Sequence, residues 1–159
     1  MTMDSHIYNV NIVWSKDRKG MMCSPELKVA SASSDGCIEV ATPPEFPKGI
    51  PGIWSPEHLF TASVSSCLMT TFLSIAENSK LDFVSFRCDA KGKLEQVDGK
   101  FLMTEVLLEP HVILKREADR ERANRVLQKS EANCLISNSI KSKVTMEPRV
   151  EVDRQEVVE

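Results

Sequence analysis

Ser55-Pro56-Glu57-His58-Leu59-Phe60-Thr61-Ala62-Ser63-Val64-Ser65-Ser66-Cys67-Leu68-Met69-Thr70-Thr71-Phe72 joins a helix start to a long uncharged run. Ser55 is a favoured N-cap. Pro56 suits the first helical position, where its missing N–H costs nothing, and Glu57 complements the positive end of the helix. Phe60, Val64, Cys67, Leu68, Phe72 and Ile75 recur at three- and four-residue steps, which predicts a helix from about Pro56 to Asn78. Ser and Ala fill most other positions, so this helix suits the centre of a fold, packed on several sides. Leu59 to Ala76 is 18 residues without a charge, near the length of a bilayer span, but seven of them are Ser or Thr and no basic flank follows. A buried helix of a globular domain, with no membrane contact, is the expectation.

Upstream, Tyr8, Val10, Ile12 and Trp14 alternate with Asn9 and Asn11, the period of a half-buried strand over His6 to Trp14. Asp17-Arg18-Lys19-Gly20 predicts a turn. Glu26 to Ser31 and Cys37 to Ala41 suggest strands joined through Ser33-Ser34-Asp35-Gly36, whose Asp-Gly is a hairpin signal. Four prolines and two glycines between Thr42 and Gly52 make a long connecting loop. Downstream, Leu81 to Leu94 and Phe101 to Leu114 flank a second hairpin turn, Val97-Asp98-Gly99-Lys100. A helix over Glu117 to Lys129, a short one over Cys134 to Ile140 and a last strand over about Lys143 to Val152 complete the pattern. The expected fold is a single α+β domain over residues 1–159, with antiparallel sheets packed around the central helix. Its core would span about 6–152, and residues 153–159 form a charged tail.

With 159 residues, 42% hydrophobic and 27% charged, the chain suits one ordinary domain. A net charge of −3 and a pI near 5.7 give no basic footprint for nucleic acid. Met1 to His6 lacks the basic and apolar regions of a secretion signal, so the cytoplasm is the default location. Five cysteines, an odd number, in a reducing compartment argue against a disulfide framework. Cys88 and Cys37 are expected to pack on strand faces, and Cys23, beside Met21 and Met22, to line an apolar pocket. No pair of Cys or His has metal-ligand spacing, so no metal or cofactor is expected.

Cys67 and Cys134 carry the candidate chemistry. A thiol attacks as its thiolate, and burial raises its pKa, so a buried Cys67 needs a compensating partner. It lies too far along its helix for the dipole to help. Arg18 is the candidate cation, and Glu57 is the natural carboxylate to hold it. Glu57 and Cys67 are about 80° apart around the helix and about 15 Å apart along it, so they cannot touch directly. Cys134 falls at the start of the short helix, where N–H groups favour a thiolate. It could condense with a sulfenic acid on Cys67 to give a disulfide. Plainer readings stand beside these: the cysteines fill the core, Glu57 only favours the helix start, and Arg18 only solvates a turn.

Pro56-Glu57-x-Leu59-Phe60 followed by Ser66-Cys67, together with Asn133-Cys134 and Ser137, resembles the OsmC/Ohr family of osmotically inducible and organic hydroperoxide resistance proteins. The element order agrees over about residues 6–152. The resemblance implies an OsmC-like fold, an intertwined homodimer with sites at the subunit interface, and a thiol-dependent peroxidase that reduces organic hydroperoxides. Cys67 would be peroxidatic, Cys134 resolving, Arg18 activating and Glu57 its salt-bridge partner. An external thiol or dithiol would be the reductant, with no bound cofactor. Leu135 follows Cys134 where the family commonly has Pro. An apolar substrate lining is expected from residues such as Met21, Met22, Leu68 and Phe72. One alternative is a non-catalytic redox-sensing or ligand-binding dimer of the same fold. A second is a cysteine hydrolase with His58 as base, although His58 lies about 13 Å from Cys67 along the helix.

Overall fold

The computed structural model describes residues 5–28 and 35–154. The chain falls into two compact units, one ending at Leu59 and the other beginning at Phe60. The first holds a three-stranded antiparallel sheet of β1 (Asn11–Lys16), β2 (Lys19–Cys23) and β3 (Cys37–Ala41), in that order. The expected first strand starts later than its alternation implies. The Asn9 N–H and side-chain amide bind the Glu26 carboxylate, at 3.0 and 2.6 Å, rather than a neighbouring strand. The expected turn at 17–20 is shorter. Asp17 adopts a left-handed φ of 50° and closes it with Arg18, which frees Lys19 and Gly20 to enter β2.

The strand expected over Glu26 to Ser31 is replaced, where described, by a 3₁₀ turn, Pro25–Leu27. Pro25 offers no ladder donor, and the buried Ser24 hydroxyl accepts the Glu26 N–H at 3.3 Å. Residues 29–34, including Ser33-Ser34 of the expected hairpin, lie outside the described residues. The expectation of no structural disulfide is overturned. Cys23 and Cys37 face each other across β2 and β3, Cα atoms 4.1 Å apart, and are bonded to one another. Such direct opposition is the close, non-hydrogen-bonded kind of antiparallel pair. Cysteine parity along the chain cannot reveal it, because register is set by the whole sheet.

The proline-rich stretch is a folded loop. The Ile50 N–H donates to Thr42 O at 2.9 Å, and the Ala41 N–H to Trp54 O at 2.9 Å, so the chain doubles back to β3 before the helix. Ser55 then caps α1 (Pro56–Asn78), its Oγ accepting the His58 N–H at 3.2 Å. By length and mean hydropathy α1 could cross a membrane. Its apolar residues have another use here: Val64, Leu68, Phe72 and Ala76 are buried in cores shared with the sheet of the second unit.

That sheet is built on a long hairpin of β4 (Phe83–Val97) and β5 (Lys100–Leu114). Asp98 and Gly99 turn it with φ of 49° and 77°, the positive pair that a two-residue turn of the type I′ kind requires. Along β5, residues 106, 108, 110, 112 and 114 are buried and those between them are half-buried, the period of a strand with one face on a core. Val64 and Leu68 pack with Val106 and Leu108. Phe72 and Ala76 pack with Val112 and Leu114, and with Ala123, Val126 and Leu127 of α2 (Arg120–Ala132). Gly92 lets α1 approach β4, because a Cβ there would overlap Thr61 Oγ1.

After α2 comes α3 (Leu135–Ser139), and the chain then returns to the sheet as β6 (Lys143–Met146) and β7 (Arg149–Val152). Both run parallel to β5, as a connection through helices allows. The one strand expected over 143–152 is divided because Pro148 cannot donate. Across the gap lies Pro110 of β5, between the Leu108↔Met146 and His111↔Arg149 pairs, so the missing donors of both strands fall together.

Candidate functional site

In the second unit the structure brings Cys67 and Cys134 together, both as free, buried thiols. Cys67 is carried by the middle of α1, and Cys134 is the N-cap of α3. Burial pushes the Cys67 thiol up. Hydrogen bonds donated to its sulfur outweigh this: from the Cys134 thiol, the Ile136 N–H, the Thr71 hydroxyl and the Leu135 N–H. The result lies below the ordinary cysteine value. Cys134 moves the other way. Burial raises it, the Ser137 hydroxyl pulls it down, and its bond to Cys67 and the charge there push it up, for a net rise. The opposite directions mark Cys67 as the more acidic thiol of the pair and Cys134 as the one that holds its proton more tightly.

Local sequence explains why donors converge there. Leu135 and Ile136 are the first two residues of α3, and the first N–H groups of any helix have no intrahelical partner. Here a sulfur takes them, while the Asn138 N–H closes the turn on Cys134 O at 3.0 Å. The sequence placed Cys134 at this helix start and expected the N–H groups to serve it; the folded geometry turns them on Cys67 instead. Thr71 was missed, although it lies four residues after Cys67 and so one turn along the same face. Ser137 is half-buried, its hydroxyl oxygen out of solvent and set beside Cys134. Leu68 and Phe72 were expected as an apolar substrate lining. Both are fully buried in the cores against β5.

Arg18 and Glu57 belong to the first unit and share an open cleft of about 640 Å³ with Trp14, Val40, Pro43 and Phe46. Arg18 sits exposed in the β1–β2 turn, its carbonyl accepting the Thr42 N–H at 3.1 Å. Glu57 is half-buried in the first turn of α1. His58 follows, its Nδ1 engaged by Ser55 Oγ at 2.6 Å and its ring edge-on to Trp54. Cys88, on β4, is pushed up to about 11, chiefly by burial, and is unsuited to attack. Among the described residues no group of three or more His, Cys, Asp or Glu side chains could hold a metal ion.

A solved OsmC-like protein of unknown function from Vibrio cholerae superposes with a TM-score of 0.78 at 22% identity, covering 91% of this chain and 99% of its own. An organic hydroperoxide resistance protein OsmC from Legionella pneumophila gives 0.71 at 19% identity, over 94% of this chain and 100% of its own. The organic hydroperoxide resistance protein OhrB of Bacillus subtilis gives 0.62 at 17%, over 93% and 98%. These likenesses show the fold. In sequence, the uncharacterised protein YmaD of Bacillus subtilis is 23% identical over 96 residues, 58% of this chain, which spans 64% of that relative's length. The OsmC-like protein family model matches residues 49–149, a stretch that holds Glu57, Cys67, Cys134 and all of the long hairpin. By that match and by its architecture, the chain belongs to the OsmC-like protein family.

Proposed function

We propose that this protein is a thiol-dependent peroxidase that reduces organic hydroperoxides. One observation carries the reading: two adjacent buried thiols share a hydrogen bond and have their pKa values driven in opposite directions. Such a separation assigns a nucleophile and a proton-bearing partner. The Cys67 thiolate attacks one peroxide oxygen; the O–O bond breaks, the sulfur becomes a sulfenic acid, and the alkoxide leaves and takes a proton to give the alcohol. Cys134 then attacks the sulfenic sulfur, expels water and forms the Cys67–Cys134 disulfide. Two thiol equivalents from an external thiol or dithiol restore both cysteines. Ile136 packs with the Val64 and Leu68 cluster, so the sulfur's flank is apolar, which suits an organic peroxide over a hydrated one.

In the same reading Arg18 and Glu57 take the activating and salt-bridging roles that the family resemblance assigns them. The protein works in the cytoplasm as a homodimer. For the second copy, β1 supplies a motive: Ile12, Val13 and Trp14 point to both faces of the strand and are 62%, 64% and 74% exposed, an apolar strand awaiting cover. The test is turnover of cumene hydroperoxide with dithiothreitol. Many turnovers per protein, faster than with hydrogen peroxide and absent in Cys67→Ser, are expected. A single stoichiometric oxidation with no turnover would replace the enzyme with a redox sensor.

A further inference from the structure

Ser137 stands three residues after Cys134, so their side chains share one side of the first turn of α3. Ser139 shows the ordinary use of a serine hydroxyl in this helix: it donates to Leu135 O, one turn back, at 2.6 Å. Ser137 does otherwise. Its hydroxyl oxygen is out of solvent, makes no hydrogen bond to an oxygen or nitrogen of the described residues, and lies beside the Cys134 sulfur. The backbone of Cys134 has no use for it. The Cys134 N–H donates to Glu131 O at 3.3 Å, and the Cys134 carbonyl accepts the Asn138 N–H at 3.0 Å. The sulfur is the group of Cys134 left for the hydroxyl to serve. Its need is also the greatest, because Cys134 has no surface open to solvent and a charge forming on it must be met by the protein.

We propose that Ser137 serves the resolving step, its hydroxyl donating to the Cys134 sulfur while that sulfur attacks the sulfenic acid on Cys67. The proposal rests on the peroxidase reading and adds a residue to its second step. Before peroxide arrives, burial pushes the Cys134 thiol up, and so do its bond to Cys67 and the charge there; Ser137 opposes them. Oxidation turns Cys67 into a neutral sulfenic acid, so the opposing charge vanishes while the Ser137 hydroxyl stays. In the step itself the S–S bond forms and the S–O bond of the sulfenic acid breaks. The hydroxide leaves with the Cys134 proton as water, the Cys134 sulfur is oxidised and the Cys67 sulfur is reduced, with no outside reagent. A second peroxide competes for the same sulfenic acid and carries it to sulfinic acid. By setting the rate of closure, Ser137 sets the peroxide concentration at which Cys67 is lost.

The test is rapid-quench mass spectrometry after one equivalent of cumene hydroperoxide, reading the dimedone-trapped sulfenic acid and the Cys67–Cys134 disulfide against time. Losing one donor to an anionic sulfur cuts the Cys134 thiolate population about tenfold at neutral pH. A more basic thiolate is also the better nucleophile, which recovers about a third of that loss on a logarithmic scale or somewhat more. Ser137→Ala is therefore expected to form the sulfenic acid at the wild-type rate and to close the disulfide about threefold more slowly. Its closure profile should move up by about one pH unit and cross the wild-type profile at high pH. The peroxide excess that drives half of Cys67 to sulfinic acid should fall about threefold, and Ser137→Thr, which keeps a hydroxyl, should restore all three readings. Unchanged closure in Ser137→Ala, or closure slowed with an unmoved pH profile as lost packing would give, would overturn the proposal. Failure of the peroxidase reading looks different: the wild type itself would form no sulfenic acid. Closure driven by diamide, which activates Cys67 without peroxide, then carries the same comparison, because Cys134 still attacks the Cys67 sulfur.

Discussion

Leu135→Pro isolates one of the groups that hold Cys67 as a thiolate. Leu135 is the first residue of α3, the position where proline is best tolerated. Its predecessor, Cys134, already has φ −67° and ψ 109°, the extended conformation that a following proline demands. The substitution therefore removes the Leu135 N–H with little cost to the backbone. The leucine side chain is 66% exposed, so Leu135→Ala keeps the N–H and controls for its loss. Hydrogen bonds to charged acceptors are worth roughly 1.5–3 kcal/mol. Leu135 ranks last among the four donors, so the lower end applies. About 1.5 kcal/mol is about a tenfold fall in the thiolate population at any pH below the pKa. The sign is fixed: losing a donor to the anion raises the pKa, so the pH at which the thiolate appears moves up. Iodoacetamide alkylation of Cys67 against pH, read by peptide mass spectrometry, measures it. An unchanged profile in Leu135→Pro, or an equal shift in Leu135→Ala, would refute the assignment.

The two thiols should behave differently when removed. Cys67→Ser should consume no peroxide, whereas Cys134→Ser should react once and leave a sulfenic acid trappable by dimedone, which excess peroxide drives to sulfinic acid. Arg18→Ala is expected to slow the first oxidation of Cys67 and leave disulfide formation unchanged in stopped-flow traces; a slowed second step alone would contradict the activating role. Gly92→Ala adds a methyl group that overlaps Thr61 Oγ1 and comes within 2.8 Å of Met103 Cε. It should cost about 1–3 kcal/mol in urea unfolding and recover in part with Thr61→Ala. Cys37→Ser opens the Cys23–Cys37 link, a sequence separation of 14. Its expected cost is about 3 kcal/mol where unfolding engages the first unit, with no change in Cys67 alkylation.

The central helix was legible to the residue, because its start rests on local chemistry: Ser55 caps, Pro56 needs no donor, and the apolar spacing runs unbroken to Asn78. The Asp98-Gly99 hairpin was legible for the same reason, since both residues tolerate positive φ. What failed was non-local. The early alternation of Tyr8 and Val10 promised strand, but Glu26 takes the backbone N–H of Asn9. Pro25 turned an apparent strand into a 3₁₀ turn. The division of the last strand depends on Pro148 meeting Pro110, residues 38 apart in the chain. At the site, sequence named both thiols and put Cys134 at a helix start. It could not show where that helix aims its free N–H groups, because their direction depends on how α3 meets α1. The Cys23–Cys37 bond was hidden likewise, being a property of strand register.

The most direct test is the identity of the bond formed by one equivalent of cumene hydroperoxide in the fully reduced free thiols. Peptide mapping by mass spectrometry, under non-reducing conditions, should find a Cys67–Cys134 linkage lighter by two hydrogens than the separate thiols, with Cys88 unmodified and one equivalent of alcohol released. Persistence of both free thiols while peroxide is consumed elsewhere, or oxidation of Cys134 with Cys67 intact, would contradict the account.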